Sequence, residues 1–562
     1  MKKFPIGISD FKRVIQDDFY YVDKSLFIED IINSSATSIL VPRPRRFGKT
    51  LNMSMLHTFL DIKNSEENAL LFDNLKIKKS EAWKAQGQYP VIFLSLKDIK
   101  ENTFEGAIYK IYKLCISWLR DNEELLTSEK LSAFEKSDLN DFVKSDWKVE
   151  DLGDFLKNIS RLLFKLYDKK VVILIDEYDS CIIKSWESGY YNDMISFMRG
   201  FLSGGFKDNN YLYKGVITGI LRVAKESIFS GLNNLVVSTV LENQSADKFG
   251  LTEEEVQKLL EDCSISTSFN EVKKWYNGYK IGKYSEMYNP WSIINFADKH
   301  DEGFKPYWVN TSANELIVEL LTNANADLEK KLTGFIDGQV MDCEIEETII
   351  FQDLEKGKAE TVLGLLLFNG YLTSTYKKTD GRKVIYGLKV PNEEVQTVYE
   401  RLLERLLSKS TVVSESTILT ALLEQNALDF ETALSEYFLS SFSFHDVQHS
   451  GSLPEKVYHA FILGLMAHLS SKFIVKSNPE TGLGRANLMI YPKDHKDQRG
   501  WILEFKKLRP SSPSLPELAK EALKQIHDSK YITTLKENNK TEIMLVGVAF
   551  DGKEVSCVTE FL

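Results

Sequence analysis

In the first third of the chain, short β-branched runs alternate with amphipathic stretches, a pattern that predicts a parallel sheet covered by helices. Four runs read as strands: Ser38 to Val41, Val91 to Ser95, Val171 to Ile175 and Lys214 to Thr218. The third follows Phe155, Leu156, Ile159, Leu162, Leu163 and Leu166, whose three-and-four spacing predicts a helix lying on that sheet. From about residue 250 to 440 the pattern turns mostly helical, broken by aromatic segments such as Trp275-Tyr276-Asn277-Gly278-Tyr279 and Tyr288-Asn289-Pro290-Trp291. Beyond the polar stretch Ser408 to Ser416, a further helical run leads to a compact end unit. Its expected elements are a helix over Pro454 to Leu469, strands at Asn487 to Tyr491 and Trp501 to Lys506, a helix over Leu515 to His527, and a strand at Ile543 to Ala549. The expected regions are therefore 1–245, 246–440 and 441–562, without internal repeats.

A chain of 562 residues exceeds what one core organises at ~150 residues per domain, which agrees with several regions. With 43% hydrophobic and 27% charged residues, the composition excludes disordered, collagen-like and disulfide-scaffold classes. The 81 acidic against 70 basic residues give a net charge of −11, so a polycation coating nucleic acid is excluded and any such contact must be local. The five cysteines are isolated, with no CxxC pair, and read as reduced thiols. Lys2 and Lys3 are not followed by the apolar stretch of a signal peptide, and the longest apolar runs fall short of a membrane helix. A cytoplasmic protein without membrane contact is expected.

The first strand runs into Pro42-Arg43-Pro44-Arg45-Arg46-Phe47-Gly48-Lys49-Thr50, and a helical pattern with Leu51, Met55, Leu56 and Phe59 follows. Strand, loop, GKT and helix form the context of a phosphate-binding loop. Backbone N–H groups at the helix start would hold phosphate oxygens, Lys49 would reach the β- and γ-phosphates, and the Thr50 hydroxyl would ligate magnesium. The general pattern asks for glycine where Arg43 stands; read alone, the segment also fits a basic surface turn. The strand Val171 to Ile175 ends in Asp176-Glu177-Tyr178-Asp179. An Asp at that position holds magnesium and an adjacent Glu orients the attacking water, although two acids after a strand also suit a helix start. The two motifs are expected on neighbouring strands. Thr218, ending the next strand, is placed to sense the γ-phosphate; Arg222 is either a phosphate contact or an ordinary surface arginine.

These motifs, together with Tyr20-Tyr21-Val22-Asp23-Lys24, Thr218-Gly219-Ile220-Leu221-Arg222, Ile228-Phe229-Ser230-Gly231-Leu232-Asn233-Asn234, Tyr288-Asn289-Pro290-Trp291 and Trp308-Val309-Asn310-Thr311-Ser312, carry a resemblance. The chain resembles bacterial AAA-ATPase-like proteins that end in a PD-(D/E)XK nuclease-superfamily domain, nearly from end to end. The resemblance implies an α/β fold with a P-loop NTPase parallel sheet, a helical middle or lid domain, and a small C-terminal α/β domain of restriction-endonuclease type. It also implies ATP and Mg2+ as cofactors, with Arg45, Arg46, Phe47, Gly48, Lys49, Thr50, Asp176, Thr218 and Arg222 around the nucleotide and Glu177 catalytic.

For the C-terminal domain the resemblance implies carboxylates around a divalent metal and a lysine that positions water, because phosphodiester cleavage builds negative charge on phosphorus oxygens. Trp501-Ile502-Leu503-Glu504-Phe505-Lys506 supplies the ExK half, and period-2 geometry puts Glu504 and Lys506 on one face. A hairpin centred near residues 495 and 496 would set Asn487 opposite Glu504, where active relatives have Asp. An amide can ligate magnesium but brings no charge, so metal affinity should fall. Glu455 sits where the superfamily's first helix contributes an acid, and Gln525 resembles the family's glutamine near the site; a solvated helix start and a surface glutamine are the alternatives. Between Gly484 and Arg509, seven basic residues (Arg485, Lys493, Lys496, Arg499, Lys506, Lys507, Arg509) face three acidic ones (Asp494, Asp497, Glu504), which suits a phosphate backbone or a merely solvated hairpin. Two functional readings follow. One is a nucleotide-hydrolysing protein whose nuclease-like domain engages DNA or RNA under nucleotide control; the other is a nucleotide-dependent binding or scaffold protein inactive as a nuclease because of Asn487. Homo-oligomerisation is left open.

Overall fold

The computed structural model describes the chain apart from residues 1, 145–148, 223–234, 309–327, 329–330, 333, 336–337, 349–350, 356–357, 400–414, 442–472, 478–479, 482–483, 486–487, 495, 509–511, 529–530 and 552–553. It forms two units. The first comprises Met1–Ala313 and Asp342–Glu394, the second Asn314–Met341 and Val395–Leu562.

The first unit is built on five parallel strands: β1 (Ser38–Pro42), β2 (Val91–Ser95), β3 (Val171–Asp176), β4 (Leu212–Gly219) and β5 (Leu235–Val237), in the order β2-β3-β4-β1-β5. Every residue of β1 and β3 is buried, as a sheet covered on both faces requires. β4 stands between β1 and β3, so the two motif strands are not neighbours as the sequence suggested. Its near-continuous burial suits this central place, pairing Val41 with Thr218 on one side and Ile175 with Ile217 on the other. Close helix packing is written into Gly215, where a Cβ would come 2.4 Å from the Phe206 ring. The helix Phe155–Tyr167 covers the sheet with Phe155, Leu156, Ile159, Leu162 and Leu163, all buried, as their spacing predicts.

Beyond residue 250, helices alternate with two antiparallel hairpins that the helical pattern did not indicate. β6 (Leu251–Thr252), β7 (Tyr279–Ile281) and β8 (Tyr284–Tyr288) form one sheet, with Gly282 at φ 54° in the turn. β9 (Met341–Cys343), β10 (Thr373–Asp380) and β11 (Lys383–Lys389) form another. The N-terminal Tyr20-to-Lys24 motif is an anchor to this region: buried Lys24 donates to Glu255 Oε2 at 2.6 Å and to the Asp247 carbonyl at 2.7 Å. Glu255 in turn completes the capping box of Thr252 on the helix Glu253–Asp262.

The second unit contains a mixed sheet of β12 (Phe473–Ser477), β15 (Leu488–Pro492), β16 (Arg499–Lys507), β17 (Glu542–Asp551) and β18 (Glu554–Phe561) in that order, beside a two-residue ladder of β13 (Glu480–Thr481) and β14 (Gly484–Arg485). β16 and β17 run parallel and the other pairs antiparallel. The helix Leu515–Asp528 packs so closely that a Cβ on Gly547 would lie 2.3 Å from the Ala519 carbonyl oxygen. The helices Glu415–Leu423 and Ala427–Ser441 also belong here: the indole of buried Trp501 donates to the Leu422 carbonyl at 2.8 Å. The expected helix over Pro454 to Leu469 lies outside the described residues.

Candidate functional site

β1 delivers the chain into the loop, and the residue that departs from the glycine pattern turns out to be its foundation. The Arg43 side chain is fully buried, and its guanidinium donates to the carbonyls of Pro42 (2.9 Å), Ser238, Gln244 (3.2 Å) and Ser245 (3.4 Å) and to Ser238 Oγ (3.3 Å). No carboxylate is among these acceptors, and burial pushes the group down to about 9. Arg46 at φ 67° and Gly48 at φ 84° turn the loop through left-handed conformations. A Cβ on Gly48 would meet nothing within 4 Å, so the backbone angle, not space, asks for glycine there. Gly48 caps the helix Lys49–Leu60 without a side chain, which leaves the first-turn N–H groups to an anion.

Lys49 and Thr50 open that helix. The Lys49 ammonium is buried and donates to the Arg43 and Pro44 carbonyls at 3.0 Å each. Burial lowers its pKa, against the opposing pull of Glu177, Asp179 and Asp176. Thr50 Oγ1 donates to Asp176 Oδ2 at 2.8 Å, and Thr218 Oγ1 donates to Asp176 Oδ1 at 2.5 Å, with Ser95 Oγ 3.3 Å from Oδ2. The ends of β2, β3 and β4 and the start of the loop helix thus converge on one fully buried carboxylate. Glu177 follows at φ 52°, a conformation costing about 1 kcal/mol or more for a non-glycine residue, and such strain concentrates at functional sites. The rest of the acidic motif is structural. Asp179 accepts the N–H groups of Ile220 (2.7 Å) and Leu221 (2.8 Å), and Tyr178 donates to the Leu221 carbonyl at 2.9 Å.

The aromatic motifs of the middle region hold the loop from outside. Asn289 Nδ2 and the Trp308 indole both donate to the Arg45 carbonyl at 3.3 Å, while the Arg46 guanidinium lies 4.0 Å from the centroid of the Trp291 ring. Phe47 packs edge-on to Tyr279 at 5.1 Å, and Gly250 leaves it room, since a Cβ there would come 3.0 Å from Phe47 Cδ1. Composition and periodicity gave no role to Asn289, Trp291 and Trp308; only their motifs drew notice. Arg222 is half-buried with its guanidinium 3.9 Å from Glu347, which also accepts the Tyr386 hydroxyl at 2.9 Å.

In the second unit the ExK face takes the predicted form. Leu488 pairs with Leu503, the register that centres the hairpin between residues 495 and 496, and Glu504 pairs with Gly547 on β17. Ile502 packs with Ile526 and Leu523 of the helix Leu515–Asp528, so Glu504, two residues on, shares the helix-covered face and is only 4% exposed; Lys506 is half-buried. Gln525 is half-buried on that helix. Glu455 and Asn487 lie outside the described residues. The basic hairpin is less available than its composition suggests: Arg499 is committed to Asp497 at 2.7 Å and to the Leu423 carbonyl at 3.1 Å, while Lys493 and Lys496 are exposed. Among the described residues, no three His, Cys, Asp or Glu side chains converge as a metal cluster, and no helix is long and apolar enough to cross a membrane.

A parallel sheet with a GKT loop at one strand end and a buried carboxylate two strands away defines the P-loop type of α/β fold. Residues 5–229 match the family model described as predicted AAA-ATPase, and residues 453–560 match that of the PD-(D/E)XK nuclease superfamily. The chain thus carries an AAA-ATPase-like domain and, at its C-terminal end, a PD-(D/E)XK nuclease-superfamily domain. It is also similar to a protein described as "Uncharacterized protein in vnfD 5'region" from Azotobacter chroococcum mcd 1, with 26% identity over 572 residues, covering 99% of this chain and 98% of that protein.

Proposed function

We propose that the first unit binds and hydrolyses ATP and that nucleotide state controls how the C-terminal domain engages nucleic acid. The observation that carries the reading is the Asp176 carboxylate, held between Thr50 Oγ1 and Thr218 Oγ1 beside the buried Lys49. The donor set fits Mg2+, because a hydroxyl and a carboxylate, both hard oxygens, stand 2.8 Å apart at the start of the loop helix. Thr50 and Asp176 would hold the ion, which supplies positive charge to the phosphates. Lys49 exchanges the Arg43 and Pro44 carbonyls for phosphate oxygens, the first-turn N–H groups of the helix hold the rest, and Glu177 orients the attacking water. Thr218 ties Asp176 to β4, and Arg46 lies beside the loop on its Trp291 platform.

Calorimetry tests the first half. Lys49→Ala should weaken ATP binding by about a hundredfold or more, while Glu177→Gln should bind ATP and fail to turn it over. Unchanged affinity in Lys49→Ala would remove the assignment. In the C-terminal domain, Glu504, Lys506, Glu455 and Asn487 are the proposed metal and catalytic set, with DNA or RNA as partner. The binding-only reading is favoured by Asn487, whose amide brings no charge to offset a dication. Asn487→Asp should then raise Mg2+-dependent cleavage, whereas robust wild-type cleavage abolished by Glu504→Ala would exclude that second reading.

A further inference from the structure

The chain passes between its two units at three peptide links: 313 to 314, 341 to 342 and 394 to 395. Two of these exits lie within a few residues of side chains that touch the phosphate loop or its clamp. Trp308, five residues before the first exit, donates its indole N–H to the Arg45 carbonyl and its backbone N–H to Glu394 Oε1 at 2.6 Å. Glu394 is the last residue of the first unit before the third exit and is fully buried. Its other oxygen accepts Ser292 Oγ at 2.7 Å, on the same helix, Pro290–Asp298, that presents Trp291 to Arg46. Asn289 caps that helix through its Oδ1, accepting the Trp291 N–H at 2.9 Å, and spends its amide on the Arg45 carbonyl.

We propose that Glu394, Trp308 and the Asn289-capped helix form a relay that transmits the conformation of the phosphate loop to the chain segments entering the C-terminal unit. The inference rests on the nucleotide reading above and names the regulation of that site. The Arg45 carbonyl and the Arg46 N–H share one rigid peptide plane, so donors fixed on the oxygen set the direction of that N–H. An anion that reorients the plane lengthens or shortens the 3.3 Å bonds from Trp308 and Asn289, and both lead to Glu394, one through the Trp308 backbone and one through Ser292. A buried carboxylate fixed by directional hydrogen bonds does not shift continuously; it transfers the displacement to residue 395 and beyond. Coupling of this kind is reciprocal, so a ligand on the C-terminal domain that displaces these exits changes nucleotide affinity by the same factor.

Hydrogen–deuterium exchange on the full chain, with and without a non-hydrolysable ATP analogue and Mg2+, tests the relay. In wild type the analogue should change exchange at residues 300–308, 388–399 and 415–441. Trp308→Phe keeps the ring and removes the indole donor of one arm while leaving the Asn289 arm; it should bind the analogue within about tenfold of wild type and show a reduced change at 388–399 and 415–441. Glu394→Gln keeps the shape and alters the group on which both arms meet, so it should lose the change at 388–399 and 415–441, giving a second variant if the first does not fold. Either folded variant showing the full wild-type change overturns the relay. Wild type that binds in calorimetry with no change at 388–399 overturns the relay alone, whereas wild type that does not bind overturns the nucleotide reading and the relay with it.

Discussion

The phosphate loop and the ExK strand both place charged side chains at a sheet, yet they are organised by opposite means. Around the loop, side chains from β2, β3, β4 and the loop helix bond to one another, and Arg43, Asn289 and Trp308 pin the backbone from residues 195 to 263 positions away in sequence. On β16, alternation alone sets Glu504 and Lys506 on one face, and the helix Leu515–Asp528 covers it. The first site is held by specific, long-range polar bonds; the second by secondary structure and close packing. Perturbing a bond should therefore hurt the first most, and perturbing a contact distance the second.

The largest effect expected is at Arg43. Arg43→Met removes the donors to the buried Pro42, Ser238 and Ser245 carbonyls, and should destabilise the first unit by about 4 kcal/mol, while leaving the unfolding of the second unit unmoved. Separate thermal transitions read by calorimetry would check this; a uniform loss in both units would break the comparison.

Next in size is a pH effect at Glu394. Burial raises its carboxyl from the ordinary 4.5 to about 7, so between those values the folded chain binds more protons than the unfolded one. The sign follows: this stability is fully present below pH 4.5, declines as pH rises through about 7, and is level above it, a change of about 3 kcal/mol. Glu394→Gln should flatten that decline in denaturant midpoints compared between pH 5 and pH 8. An unaltered slope would mean that the carboxyl titrates in its ordinary range.

Legibility divides along the same line. The four sheet strands and the ExK register were readable because period-2 and continuous apolar patterns are local. Thr50 and Asp176 were readable because each sits at a fixed offset from a strand end. The insertion of β4 between the motif strands was not, since strand order is a tertiary choice that strands buried on both faces leave open. Nor was the purpose of Arg43: its acceptors are backbone carbonyls at Ser238, Gln244 and Ser245, and a carbonyl carries no signature in sequence. The hairpins β7–β8 and β10–β11 were missed because consecutive residues are exposed near their short turns, Ser285 and Glu286 in β8 and Tyr376 to Asp380 in β10, leaving little alternation to detect.

On the ExK side, Gly547→Ala should cost about 2–3 kcal/mol, because the new Cβ would stand 2.3 Å from the Ala519 carbonyl and 2.6 Å from the Leu523 N, both backbone atoms of the covering helix. The helix must lift, so protection from exchange should fall across Leu515–Asp528 and leave the phosphate loop unaffected. An alanine variant as stable as wild type would show that this helix rides loosely over Glu504.

The smallest effect sharpens the boundary of the second site. Trp501 is fully buried on the β16 face away from Glu504, and its indole N–H satisfies the Leu422 carbonyl, one of the orphan acceptors at the end of the helix Glu415–Leu423. Trp501→Phe removes that donor and some packing, for a loss of about 1–2 kcal/mol. Arg499 still donates to the neighbouring Leu423 carbonyl, so the helix end keeps one partner and should fray by a single turn instead of detaching. Exchange should rise at residues 418–426 and stay unchanged at 515–528 on the opposite face. Equal loosening of both faces would mean that the helix pair and the covering helix are one cooperative unit around Glu504, and that the ExK face is held by more than the packing of its own helix.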